Sequence, residues 1–261
     1  MTRFRTFLLV FGCVLSTVRF APAQNPQMLT VAAASDLQSV LPAVTSRFEK
    51  DTRQPVRVTF GSSGNFFAQI QNGAPFDVFL SADIDYPKRL EAAGQAERGT
   101  LYEYATGHIV LWTRRDSGID VTRGLAVLAD ERVRRIAVAN PQHAPYGRAA
   151  VAALRHERLY DRIQSKLVFG ENISQTAQFA QSGSSDVGMI ALSLALGPSL
   201  KGGGTYFEVP ESWHPPIEQG AVVIASSKQK MQARQFIEYL KQPEAVGILQ
   251  SFGFSVHQPV R

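Results

Sequence analysis

Serines, asparagines, a tyrosine and glycines stand where short apolar runs give way to helical patterns, in four loops of this chain: AAASD (32–36), FGSSGN (60–65), NPQHAPYG (140–147) and FGENIS (169–174). Each places small or capping residues where the free N–H groups of a helix start emerge. A helix N-terminus carries roughly half a positive charge and a set of neutral donors, so such loops suit an anion. In AAASD, Ser35 and Asp36 read as N-cap residues, and the hydroxyl of Ser35 with the N–H groups after it would face the anion. Taken alone, that loop is no more than an ordinary helix cap. FGSSGN is more specific, because Gly61 and Gly64 let backbone approach closely while Ser62 and Ser63 offer two hydroxyls. Tyr146, between Pro145 and Gly147, could turn a phenolic O–H into a cleft, and Ile173 would offer only its backbone N–H.

The elements that must carry these loops follow from periodicity. Strands are expected at 29–33, 56–60, 77–81, 108–113, 135–139, 186–191, 205–209 and 221–226, and helices at 37–50, 65–71, 121–128, 147–160, 173–181, 230–240 and 243–252. Pro42 is tolerable close to a helix start. Short apolar runs alternating with helices predict an α/β fold with parallel strands. Two such series suggest two similar lobes, and ligands of open α/β sheets sit beyond the carboxyl ends of the strands, where the four loops lie. KGGG (201–204) reads as a surface turn.

With 44% hydrophobic and 19% charged residues, the 261-residue chain can build a sizeable core in one or two domains. The first 23 residues stand apart. Arg3 and Arg5 precede an apolar run, and Ala21-Pro22-Ala23 offers a cleavage signal before Gln24, the pattern of a secretory signal peptide. Cys13, the only cysteine, falls inside it, so the mature chain would have neither disulfides nor thiol chemistry. A lipid tether at Cys13 is the minor alternative. Removing the leader takes three arginines and lowers the formal charge from +5 to +2, which argues against a nucleic-acid partner. No later apolar run reaches the roughly 20 residues that span a bilayer.

The stretches LTVAAASD (29–36), VTFGSSG (58–64), AQIQNGAPFDVFLSAD (68–83), AVANPQHAPYG (137–147), DVGMI (186–190) and GILQSFGF (247–254) together resemble the periplasmic molybdate-binding proteins of ABC transporters, which are type II periplasmic binding proteins. The resemblance implies two α/β lobes joined by a two-segment hinge, with residues 24–107 plus 222–261 forming the first lobe and 108–221 the second. It implies an exported monomer that binds molybdate or tungstate, needs no cofactor, catalyses nothing and hands its ligand to an inner-membrane permease. It puts Ser35, Asp36 (through its backbone N–H), Ser63, Tyr146 and Ile173 on the oxyanion. Many relatives also place a tyrosine hydroxyl after the strand that here ends at Ala191. Tyr146 is then expected to supply the missing hydroxyl, and the Asp36 side chain to point away or cap its own helix. A site of neutral donors favours a fully ionised oxyanion over a protonated one, since a ligand O–H would need an acceptor.

Three other readings compete. A sulfate or phosphate binder shares every feature but the pocket. A serine hydrolase using Ser62 or Ser63 with His143 lacks the G-x-S-x-G context and a carboxylate placed to orient the histidine. A ferric-ion binder would want clustered tyrosines, and the seven here are scattered; no histidine pair has metal-ligand spacing either.

Overall fold

The computed structural model describes residues 27–256, so the expected signal peptide and Cys13 lie outside the described residues. In chain order the elements are β1 (Leu29–Ala34), α1 (Leu41–Thr52), β2 (Val56–Gly61), α2 (Ser63–Gln71), β3 (Val78–Ser81), α3 (Asp85–Ala92), β4 (Tyr102–Gly107), β5 (Ile109–Arg114), β6 (Ile136–Ala139), α4 (Pro145–His156), α5 (Tyr160–Ile163), β7 (Leu167–Gly170), α6 (Ile173–Ser182), β8 (Val187–Ala191), α7 (Leu192–Ala195), β9 (Gly204–Glu208), β10 (Ile217–Val223), α8 (Lys230–Leu240) and α9 (Pro243–Ser251). They build two five-stranded sheets, ordered β2-β1-β3-β10-β4 and β7-β6-β8-β5-β9.

The two sheets share one plan. Each has three parallel strands with the earliest in the middle, followed by an antiparallel strand that arrives from, or returns to, the other lobe. The central strands β1, β6 and β8 are buried almost throughout, as expected of strands covered by helices on both faces. One core packs around Leu29, Val31, Phe48 and Phe236 in the first lobe, and another around Trp112, Ile136, Val138 and Ile190 in the second. The fold is the two-lobed α/β architecture of type II periplasmic binding proteins.

The chain crosses between sheets twice. The first crossing is the short step from β4, ending at Gly107, to β5, starting at Ile109. The second lies between β9 and β10, because β10 from Ile217 onward pairs with β4 and β3 in the first sheet. This corrects the expected boundary at 221/222. The sequence IEQGAVV (217–223) looks like a strand only from its apolar end, while backbone pairing extends the strand back to Ile217.

Other corrections are local. The first helix does not run from Leu37: Ser35–Ser39 form a 3₁₀ turn, and α1 starts afresh at Leu41 with Pro42 in its first turn, where a missing N–H costs nothing. Residues 121–129 are a 3₁₀ segment interrupted at Gly124, whose φ of 72° no helix continues through. The expected helix 147–160 is α4 and α5, separated at Arg158 with φ 57°.

Candidate functional site

Strand β1 ends among alanines because the lobes must approach closely there, and beyond it the 3₁₀ turn brings Ser35 and Asp36 into the cleft. Beside them in the first lobe stands the start of α2 after Ser62, and in the second lobe the start of α4 after Ala144 and the start of α6 after Asn172. These four starts surround one small cavity of about 10 Å³, and the structure brings all five expected residues, Ser35, Asp36, Ser63, Tyr146 and Ile173, to its wall. All five are at least 97% buried. As first-turn residues, Ser63, Tyr146 and Ile173 carry N–H groups without an intrahelical acceptor. Among the described residues lining the cavity there is neither Lys nor Arg.

The hydroxyls are positioned by neighbours. Ser63 Oγ accepts from the Ala82 N–H at 2.9 Å, which occupies a lone pair and leaves its proton to donate elsewhere. Ser35 Oγ donates to Asn172 Oδ1 at 3.2 Å and accepts from the Ser174 N–H at 3.3 Å, tying the first lobe to the start of α6. Asn172 is also the N-cap of α6, accepting from the Gln175 N–H at 3.0 Å. Asn172→Ala removes a cap and an interlobe acceptor together, so unfolding free energy should drop by about 1 kcal/mol or somewhat more in urea titration.

Asp36 overturns the expectation made for it. Its side chain does not point away but lies fully buried between the lobes, close to the N–H groups of Asp36 and Leu37 in its own turn. Oδ2 accepts from Gln219 Nε2 at 2.6 Å and from Tyr146 Oη at 3.1 Å, while Oδ1 has no partner. Tyr104 Oη donates to Gln219 Oε1 at 2.7 Å and so fixes the orientation of that amide. The backbone carbonyl of Asp36 accepts from Ser193 Oγ, at the start of α7, at 2.7 Å. Burial pushes the carboxyl up to about 6, against the opposing pull of the Gln219 and Tyr146 hydrogen bonds and of the backbone N–H groups of Asp36 and Leu37. The same burial, with the Asp36 charge beside them, lifts the phenols of Tyr146 and Tyr104 well above their usual range.

Two further expectations change with it. The Tyr146 hydroxyl is given to Asp36, so it does not stand free to replace the tyrosine missing at Ala191. The site also holds an acceptor after all, since an ionised Asp36 could receive a proton-bearing ligand oxygen. A carboxylate and a dianion about 4 Å apart repel by roughly 8 kcal/mol at an effective dielectric of 20, too much for a tight complex unless one of them carries a proton.

Sequence reading missed Gln219, Tyr104, Gly107 and Ser193. Gln219 sits at a register shift in β10, and such a bulge re-aims a side chain. A Cβ on Gly107 would collide with Tyr146 Oη and lie 2.6 Å from Gln219 Nε2, so only glycine leaves room for the cluster. A polar pair, Glu218 and Gln219, ahead of an apolar run and a glycine at a strand end were the available signals, and both are common.

At the cleft rim, Ser62 Oγ lies 3.0 Å from His143 Nδ1, and Glu171 Oε2 stands 3.7 Å from His143 Nε2. A carboxylate therefore does face His143, contrary to expectation. Three features mark this group as a clasp between lobes. Ser62 has ordinary extended backbone angles, the carboxylate is beyond hydrogen-bond range and mostly exposed, and parallel contacts run beside it: the Gly64 N–H to the His143 carbonyl at 2.9 Å and Asn65 Nδ2 to Glu171 Oε1 at 2.6 Å. These contacts, with an Arg148–Asp83 ion pair, hold the lobes together.

Residues 29–255 match the family described as bacterial extracellular solute-binding protein. The chain is 38% identical over 236 residues to the molybdate-binding protein of Azotobacter vinelandii, covering 90% of this chain and 93% of that one. It is 35% identical over 233 residues to the molybdate-binding protein of Rhodobacter capsulatus, covering 89% and 90%. The solved structure of the Azotobacter vinelandii periplasmic molybdate-binding protein superposes with a TM-score of 0.83 at 36% identity, covering 88% of this chain and all of that one. With its two-lobed fold, interlobe cavity and matches along nearly the whole described length, the chain belongs to the bacterial extracellular solute-binding protein family.

Proposed function

We propose that this chain is an exported binding protein that captures molybdate, and tungstate, in the interlobe cavity and delivers it as a monomer to an inner-membrane ABC permease. The observation that carries the reading is the meeting of Ser35, Asp36, Ser63, Tyr146 and Ile173, from both lobes, at one buried cavity without a cationic side chain. A dianion taken from water must have its hydration replaced, and neutral donors from four helix starts do this without recruiting a counter-ion. The Ser63 hydroxyl and the N–H groups of Asp36, Ser63, Tyr146 and Ile173 are the donors in this reading, and the Ser35 hydroxyl joins them by turning its proton from Asn172 Oδ1 to the anion. Residues 1–23 act as the export leader, and the two crossings at 107–109 and 208–217 act as the hinge. The relatives named for molybdate support the choice of ligand, and the solute-binding family supports capture over catalysis.

Calorimetric titration with molybdate, tungstate, sulfate and phosphate at one pH tests it. Tight one-to-one binding of the first two, with the others silent, is expected. Tight binding of sulfate or phosphate in place of molybdate would keep the fold and move the ligand. The acceptor on Asp36 specifically favours a monohydrogen oxyanion such as hydrogen phosphate as the second reading. Tyr146→Phe should change molybdate affinity by less than about tenfold, because its hydroxyl serves Asp36; loss of a hydrogen bond to the anion itself would instead weaken it by roughly 10- to 150-fold.

A further inference from the structure

Among the described residues on the wall of the cavity that is taken to hold a dianion, Asp36 carries the one carboxyl, and one of its oxygens lacks a well-aligned donor. Oδ2 is satisfied twice, by Gln219 and Tyr146, whereas Oδ1 is buried without a well-aligned donor, the nearby backbone N–H groups of Asp36 and Leu37 giving the carboxyl only a weaker pull. A buried carboxylate oxygen with no donor is costly, and a buried carboxylate beside a dianion more so. A proton on Oδ1 removes both difficulties at once: it neutralises the side chain and turns the orphaned acceptor into a donor.

We propose that Asp36 enters the ligand complex as the neutral acid, so that capture of molybdate takes up one proton from solvent onto Oδ1, and the resulting O–H donates to an oxygen of the anion. This rests on the molybdate reading above. The bond formed is O–H on the carboxyl, the proton comes from the buffer, and the anion stays fully ionised.

The surroundings leave no other group to absorb the charge. The titratable side chains facing Asp36 are Tyr146 on α4 and Tyr104 on β4, both kept neutral by burial and by the carboxylate itself. From β10 it meets the neutral amide of Gln219, and from α7 the hydroxyl of Ser193 touches only its backbone carbonyl. The other side chains on the cavity wall near it, Ser35, Ser62, Ser63 and Ile173, are neutral. Burial already holds the carboxyl at about 6, and an adjacent dianion can only raise it further.

The proton linkage is read by titrating protein purified from exported material with sodium molybdate in Tris and in HEPES, whose ionisation enthalpies differ. At about pH 8 the free carboxyl is ionised and the bound one protonated, so about one proton is taken up per molybdate and affinity falls by up to tenfold per pH unit above about pH 6. Near pH 5 the uptake shrinks as the free protein is protonated already. In Asp36→Asn the buffer dependence disappears and binding at about pH 8 is roughly 10- to 100-fold tighter than in the parent, since an amide N–H supplies the donor without needing a proton. Molybdate binding with no buffer dependence at about pH 8 would overturn the linkage while keeping the ligand. Uptake that persists in Asp36→Asn would place the proton elsewhere, also overturning it. Absence of molybdate binding at every pH would remove the ligand reading and the linkage together.

Discussion

Ser63→Ala is expected to bind molybdate roughly 10- to 150-fold more weakly than the parent, as measured by calorimetric titration. Ser63 occupies the first turn of α2, fully buried, with Oγ already accepting the Ala82 N–H. That acceptance fixes where the hydroxyl proton can go, and the cavity is the direction left. A hydrogen bond to a charged oxygen contributes about 1.5–3 kcal/mol, which sets the expected range. The same substitution orphans the buried Ala82 N–H, so the free protein should also lose about 1–3 kcal/mol of stability. The two losses separate cleanly: thermal unfolding without ligand reads the second, and binding at a temperature well below unfolding reads the first. An affinity unchanged in a folded variant would remove Ser63 from the anion's shell.

How much of this could be read from the sequence depends on how local the cause is. Helix α8 was legible to the residue, because its apolar face and its flanks are set by neighbours along the chain. Strands β1 and β8 were legible as continuous apolar runs. By contrast α3, β4 and α7 were not foreseen: α3 hides behind Pro87, and β4 mixes polar and apolar residues because it lies at the sheet edge. The loops of the site were visible as capping sequences, but what each side chain does there was not. Asp36 was read as an N-cap because Asp so often is one, and the competing cause, a Gln219 delivered by a bulge from a strand 183 positions away, has no trace near Asp36 in the sequence. The partner of the Tyr146 hydroxyl is hidden for the same reason. The hydroxyl was correctly directed into the cleft, but its partner there is a carboxylate from the other lobe. Contacts that join lobes are the least local of all, and this site is made of them.

The carboxyl of Asp36 should also be legible in folding. A group raised from 3.8 to about 6 is protonated more readily in the folded than in the unfolded chain. Its contribution is therefore most favourable below about pH 4, is lost as pH rises through about 6, and is flat above that. Two pH units at about 1.4 kcal/mol each make the ionised group a burden on the order of 3 kcal/mol at neutral pH. Asp36→Asn removes the ionisation while keeping the shape and an oxygen for Gln219 and Tyr146. Without ligand it should be more stable than the parent by up to about 3 kcal/mol at pH 7, with the advantage vanishing near pH 4, in paired urea unfolding curves. The difference between the two proteins is the informative quantity. Asp130, held far below the usual carboxylate range by its hydrogen bonds from Arg132, pushes the pH dependence the opposite way in both and cancels in the comparison. An equal stability of parent and variant at both pH values would mean that Asp36 is folded and unfolded with the same proton affinity, and the strain attributed to its unpartnered oxygen would be absent. A stability gap that closes on acidification would show that the protein keeps a destabilising acid at its centre, which is intelligible when that acid is neutralised by the act of binding.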